Sequence, residues 1–128
     1  MMELSQLATA ETHQEGAECN ISDPLTRKPT DVYIKIMGAD SAKWREQKKK
    51  QTNAVLEQRA SAKKSAIDFD KMDVDALVQV TIGWRGISLD GKEYTFSKDN
   101  ARNLYTNSPS VVAQLLEFLG NGANFIKG

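Results

Sequence analysis

The stretch Val80-Thr81-Ile82-Gly83-Trp84-Arg85-Gly86-Ile87-Ser88-Leu89-Asp90-Gly91-Lys92-Glu93-Tyr94-Thr95-Phe96 constrains this chain more than any other. No single regular element can cross it. Gly83 and Gly86 bracket Trp84-Arg85 and break the apolar run that enters from the N-terminal side. Asp90-Gly91 is a dipeptide favoured in two-residue hairpin turns, because both central residues need φ > 0. Pairing about that turn sets Leu89 opposite Lys92 and Ile87 opposite Tyr94. Ile87, Leu89, Tyr94 and Phe96 then share one face, and the turn register agrees with the apolar alternation. The remaining elements must fit around a helix end, a break and a small hairpin.

Upstream, Val74, Leu77, Val78 and Thr81 share one helical face, while Val80 and Trp84 extend another. A helix from about Val74 to Ile82, apolar nearly all round, is expected to be buried, with Gly83 ending it in the left-handed conformation. Asp68 to Asp73 supplies the preceding break and several cap candidates. Downstream, Ser97 is placed to cap a helix over Lys98 to about Tyr105, with Asp99 in its first turn and Ala101, Leu104 and Tyr105 inward. Ser108-Pro109 then gives an N-cap followed by proline at the first helical position. The last helix runs to about Leu119. Val112, Leu115, Leu116 and Leu119 line one face, widened by Val111 and Phe118, and Gly120-Asn121-Gly122 stops it. The apolar pair Phe125 and Ile126 follows, and either packs back on the core or meets a partner.

In the first half, Asp31 to Met37 alternates with Val32, Ile34 and Ile36 on one side, a strand closed by Gly38. A lone strand is unstable, so the hairpin at 87–96 or another copy of the chain is expected to pair with it. The preceding Ile21 to Thr30 holds Pro24 and Pro29 and reads as a turn-rich, extended connector. A helix capped by Asp40 or Ser41 should run from Ala42 to about Ile67, roughly 26 residues or about 39 Å. Its apolar content is thin: Trp44, Val55, Leu56, some alanines and Ile67. Such a helix projects, kinks or lies on another subunit. Residues 1–20 lack aromatics and sustained periodicity and read as a flexible acidic arm, with His13 exposed in it. The expected fold is therefore mainly α with a small β part, a strand near 32–37 and a hairpin near 87–96. It forms one domain over 21–128 that carries a long polar helix.

Charge is segregated along the chain. The formal net charge is zero, but residues 1–23 carry −5, residues 24–71 carry +6 and residues 72–128 carry −1. An acidic start before a basic middle suits a solvated helix beside a mobile arm. It also suits head-to-tail matching between copies, or an acidic partner. The basic helix at 43–64, with Lys48-Lys49-Lys50 and Lys63-Lys64, also raises nucleic-acid binding as an alternative. A protein reading nucleic acid usually adds aromatic or arginine-rich contacts and an overall basic charge. Here Trp44 is the one aromatic on that helix.

No motif carries catalysis, a cofactor or a metal. His13 and Cys19 are the one histidine and the one cysteine, so neither a closed zinc site nor an internal disulfide can be built. Gly83-x-x-Gly86 is too short for a phosphate-cradling loop and lacks the following Lys-Ser/Thr. Asp68, Asp70, Asp73 and Asp75 lack the glycine and terminal glutamate of a calcium loop. No apolar run reaches the ~20 residues of a membrane span, and Met1-Met2-Glu3-Leu4 does not start like a secretory signal. A non-enzymatic protein of a reducing cytoplasm is the expectation.

Several short runs resemble the tail assembly chaperones of long, flexible-tailed bacteriophages. They are Val80-x-Ile82-Gly83-Trp84-Arg85-Gly86-Ile87, then Asp90-Gly91-Lys92, then Phe96-Ser97-x-x-Asn100-Ala101. Earlier, Ile21-x-Asp23-Pro24 and Val32-Tyr33-Ile34-Lys35-Ile36-x-Gly38-Ala39-Asp40-Ser41 look similar too, so the resemblance spans most of residues 20–119. It implies a protein that acts in the infected bacterial cell, is absent from the mature virion, and coats the helical tape measure protein. It also implies self-association, and a longer frameshifted product whose extension recruits the major tail tube protein. On this reading a groove near the last helix, formed by Val111, Leu115, Phe118 and Leu119 with Trp84 beside it, takes the partner. Phe125 and Ile126 are further contacts. The same residues also suit a plain core, and an oligomeric adaptor remains a further alternative.

Overall fold

The computed structural model describes residues 1–60 and 68–125. The chain order is α1 (Leu4–Leu7), α2 (Ala10–Glu15), β1 (Ala17–Ser22), β2 (Pro29–Ile36), α3 (Ala42–Ala60), α4 (Phe69–Val80), β3 (Thr81–Arg85), β4 (Ser88–Leu89), β5 (Lys92–Glu93), α5 (Lys98–Asn107) and α6 (Pro109–Gly120). A short 3-10 turn, Gly122–Phe125, closes it. The protein is mainly α with a small β part.

The strand over Val32 to Ile36 does not pair with the hairpin or wait for another copy. It is the centre of a three-stranded antiparallel sheet ordered β1-β2-β3. Cys19 faces Ile34 across one side, and Trp84 faces Ile34 across the other. Both neighbours come from segments given other roles above. Ala17 to Ser22 alternates, with Cys19 and Ile21 buried, so the last residues of the expected arm, Ala17 to Asn20, belong to a strand. Thr81 and Ile82, expected to finish a helix, instead open the extended strand Thr81–Arg85. The helix begins earlier, because Asp68 Oδ1 accepts the amide of Lys71 and caps it, and it ends at Val80. Gly83 pairs with Lys35 in the ladder and is no helix terminator. The positive φ falls on Gly86, at 88°, where an added Cβ would lie 2.1 Å from the Asp31 carbonyl oxygen. Only a residue without a side chain can turn there.

The hairpin forms as its dipeptide predicts. Leu89 pairs with Lys92, and Asp90 and Gly91 sit at φ 53° and 78°. The Tyr94 amide donates to the Ile87 carbonyl at 2.8 Å, extending the register by one pair. Tyr94 and Phe96 hold the hairpin against β3: Trp84 stacks on Tyr94 at 5.9 Å, meets Phe96 edge-on at 5.2 Å, and donates its indole N–H to the Tyr94 carbonyl at 2.7 Å. Leu89, expected inward, remains exposed at the hairpin tip.

One apolar core joins these layers. Ile34 and Ile36 of β2, Leu77, Val78 and Val80 of α4, Tyr105 of α5 and Leu115 of α6 are all fully buried. Ser97 caps α5 by accepting the Asn100 amide at 3.0 Å, as expected. Ser108 occupies the N-cap of α6 but makes no side-chain capping bond. α3 starts at Ala42 as expected and is polar almost throughout, with Trp44 its one buried residue among those described. The expected continuation of this helix to Ile67, including Lys63-Lys64, lies outside the described residues.

The largest correction concerns His13. It is buried, not an exposed tail residue. Its ring stacks on Phe125 at 4.8 Å, and its Nδ1 accepts the Asp40 amide at 2.9 Å. The Gly38 amide donates to its backbone carbonyl at 2.8 Å. Gly38 makes room for the ring, since a Cβ there would lie 2.2 Å from Nδ1. A single imidazole thus ties α2 to the segment before α3 and to the final turn. Composition missed it because the stacking partner is 112 positions away.

Candidate partner-binding surface

α6 is the element around which open surface is arranged. Its anchor is Gln114. The Gln114 Oε1 accepts the Ser22 amide at 2.7 Å and its Nε2 donates to the Ser22 carbonyl at 3.1 Å. The carboxamide imitates one rung of a strand, so α6 lies along the outer edge of β1 and covers it.

A cleft opens on each side of this helix. The first, of about 940 Å³, lies between α6 and the turn joining β1 to β2. Pro24, Leu116 and Phe118 give it apolar walls, and Arg27 and Glu117 charge its rim. The turn is fixed by Asp23, whose Oδ1 accepts the amides of Leu25 at 2.8 Å and Thr26 at 3.2 Å. Arg27 sits there at φ 58°, a conformation seldom adopted by a side-chain-bearing residue. The second cleft, of about 610 Å³, lies between α6 and the start of α4 and is mainly apolar, with Val74, Pro109, Val112 and Leu116. Asp68, Asp70 and Asp73 together with Lys71 and Arg102 give it a rim of both charges. Leu116 borders both.

The residues expected to line one groove are divided. Phe118 lines the first cleft. Leu115 and Leu119 are buried and hold α6 to the core, so neither is an open contact. Phe125 is buried as well, between His13 and Phe118, with ring centroids at 4.8 Å and 5.5 Å. Val111 packs half-buried against the core and lines neither cleft. Trp84 is not beside the groove: it lies on β3, the sheet edge opposite the strand α6 covers, and its ring is taken by the hairpin. Ile126 lies outside the described residues. Leu116 was visible on the helical face, whereas Gln114, Arg27 and Glu117 carried no periodic signal.

The buried groups inside this frame are structural. Burial pushes the Cys19 thiol up to about 11 and the Tyr105 phenol up to about 12. The Thr81 hydroxyl donates to the Leu77 carbonyl at 2.6 Å, so the Tyr105 hydroxyl, 2.7 Å from Thr81 Oγ1, is the donor between them. The hydrogen bond with Glu18 raises Arg85 further above its ordinary range.

No protein family, curated protein or solved structure matches the chain. Among the described residues, no group of three or more His, Cys, Asp or Glu side chains is gathered to hold a metal, and no helix is long and apolar enough to cross a membrane. What the geometry offers is a helix held by its buried leucines and the Gln114 carboxamide, flanked by two clefts with apolar walls and charged rims.

Proposed function

We propose that the chain is a non-catalytic tail assembly chaperone of a long-tailed bacteriophage, covering apolar stripes of the tape measure protein while the tail is built in the infected cell. The observation that carries the reading is the pair of clefts flanking α6, taken with the resemblance over residues 20–119. A long amphipathic helix exposes more contiguous apolar surface than solubility tolerates. A helix laid into a groove is read through anchors at i, i+3 and i+4. Leu116, flanked by Phe118 on one side and Val112 on the other, offers short apolar floors for such anchors. The charged rims keep each contact modest, which suits a protein that must later be displaced by tube subunits. Self-association of copies along one tape measure chain would make coverage cooperative. Recruitment of the major tail tube protein by a longer frameshifted product belongs to the same reading.

The test is binding of a soluble tape measure fragment to the full chain, followed by calorimetry. Glu117→Arg, on the exposed rim, and Phe118→Asp, on the wall, should each weaken binding at least about tenfold, near 1.4 kcal/mol. Circular dichroism checks that each variant folds. Unchanged affinity in a folded Glu117→Arg and a folded Phe118→Asp would remove the cleft from the account.

A further inference from the structure

Two exposed surfaces of this protein are complementary to each other, and one copy leaves both uncovered. The first is the start of the chain. Residues 1–15 carry Glu3, Glu11 and Glu15 and no lysine or arginine. α1 buries none of its residues, and Met2, Leu4 and Leu7 are 63%, 78% and 62% exposed. A four-residue helix with two outward leucines has little intrinsic stability, since helix nucleation costs more than one turn returns. The second surface is α3. Its 19 residues hold six basic and two acidic side chains, a net +4. Trp44, Gln47, Gln51, Ala54, Val55 and Gln58 make its inward face. On the opposite face Arg45, Lys49 and Leu56 fall on one line at spacings of 4 and 7, and Leu56 is 55% exposed. Neither acidic residue of α3 falls on this line. It is a short basic stripe that ends on an apolar residue, against an acidic segment with outward leucines.

We propose that α1 and the first turn of α2 of one copy dock on the outward stripe of α3 of a second copy. Leu4 and Leu7 cover Leu56 and the alkyl stem of Lys49, while Glu3 and Glu11 face the cationic ends of Lys49 and Arg45. The same copy cannot satisfy both surfaces as it stands. His13 and the Thr9–Asp40 hydrogen bond hold α2 at the start of α3, and Leu4 and Leu7 remain in solvent. The contact joins two different patches, so each copy keeps one of each free, and the assembly grows head to tail. Nucleic acid suits the stripe less well, because only two cations, Arg45 and Lys49, fall on its line and Leu56 ends it. The proposal does not rest on the chaperone reading: it requires no tape measure protein.

Sedimentation of the full chain over roughly 10–200 µM tests it, because an assembling system changes mass with concentration. At about 50 mM salt the mass should exceed that of a monomer and rise with concentration, and at about 500 mM it should fall back, since contacts between exposed charges are screened. The pair Arg45→Glu with Lys49→Glu, and separately the pair Glu3→Lys with Glu11→Lys, should each weaken association at least tenfold. Mixing the two charge-reversed proteins should restore a one-to-one complex that neither forms alone. A wild type that stays monomeric at low salt overturns the proposal. So do charge-reversed proteins that associate like wild type, and a mixture in which no complex forms. Both variants leave the clefts beside α6 untouched, so loss of assembly with retained tape measure binding separates this contact from the proposed function.

Discussion

Tyr105 shows how a single buried group makes the fold sensitive to pH. Its phenol is held in the core and donates to Thr81, and burial raises it from 10.0 to about 12. The folded state therefore holds the proton more tightly than the unfolded chain. The stability this represents, about 2–3 kcal/mol for a shift of this size, is fully present below pH 10 and lost as pH rises toward 12. Cys19 acts in the same direction between 9.0 and about 11. Alkaline unfolding followed by circular dichroism should track the tyrosinate absorbance of one late-titrating tyrosine. If all three tyrosines ionise near pH 10 while the fold stays intact, Tyr105 is not buried as described. Gly38 gives a second test at this scale. Gly38→Ala places a Cβ 2.2 Å from His13 Nδ1, which the buried ring cannot accommodate in place. We expect a loss of about 2–3 kcal/mol, with the His13–Phe125 stack broken and the segment before β1 cleaved first by a protease. Equal stability and an unchanged cleavage pattern would refute the His13 tie. Tyr105 was legible as an inward residue of its helix, whereas the His13 tie was not. The signals for His13 are a glycine and a phenylalanine far along the chain, and nothing in the local composition joins them.

At the scale of elements, what was legible followed local chemistry. Asp90-Gly91 fixed a hairpin register, Ser97 placed a helix start, and the Val32-x-Ile34-x-Ile36 alternation gave the central strand. What was not legible depended on tertiary pairing. Thr81 to Arg85 continues a helical apolar pattern, and it is extended because β2 has an edge for it to pair with. β1 hid in a run of six residues with one cysteine and one isoleucine as its strong inward signals. The docking of α6 depends on Gln114, a polar residue that helical periodicity places nowhere in particular. Gln114→Ala removes both bonds to Ser22 and leaves its amide and carbonyl without those partners. The expected cost is about 1–3 kcal/mol in urea unfolding, with faster amide exchange at Ser22 and along α6. An unchanged midpoint would mean that the clamp contributes nothing to holding the helix. Of the residues expected in one groove, Phe118 alone lines a cleft, because the widest apolar face of a helix is the face that goes into the core.

At the scale of the whole molecule, the fold places its open surface in two regions. The clefts beside α6 lie against the β1 edge and the start of α4, while the charged outward face of α3 and the exposed leucines of α1 lie elsewhere. On the proposed function the first region would take a helix of another protein, and on the proposed contact the second would join copies to one another. Taken together, the two proposals make the protein a repeated coat on the tape measure protein. The measurement that tests this most directly is the recovery of soluble tape measure protein, expressed in bacteria with and without this chain. The account predicts that the tape measure protein alone goes to the insoluble fraction, and that co-expression brings most of it into solution with this chain bound in several copies. A tape measure protein that stays insoluble, or that becomes soluble without this chain in the purified complex, would contradict it.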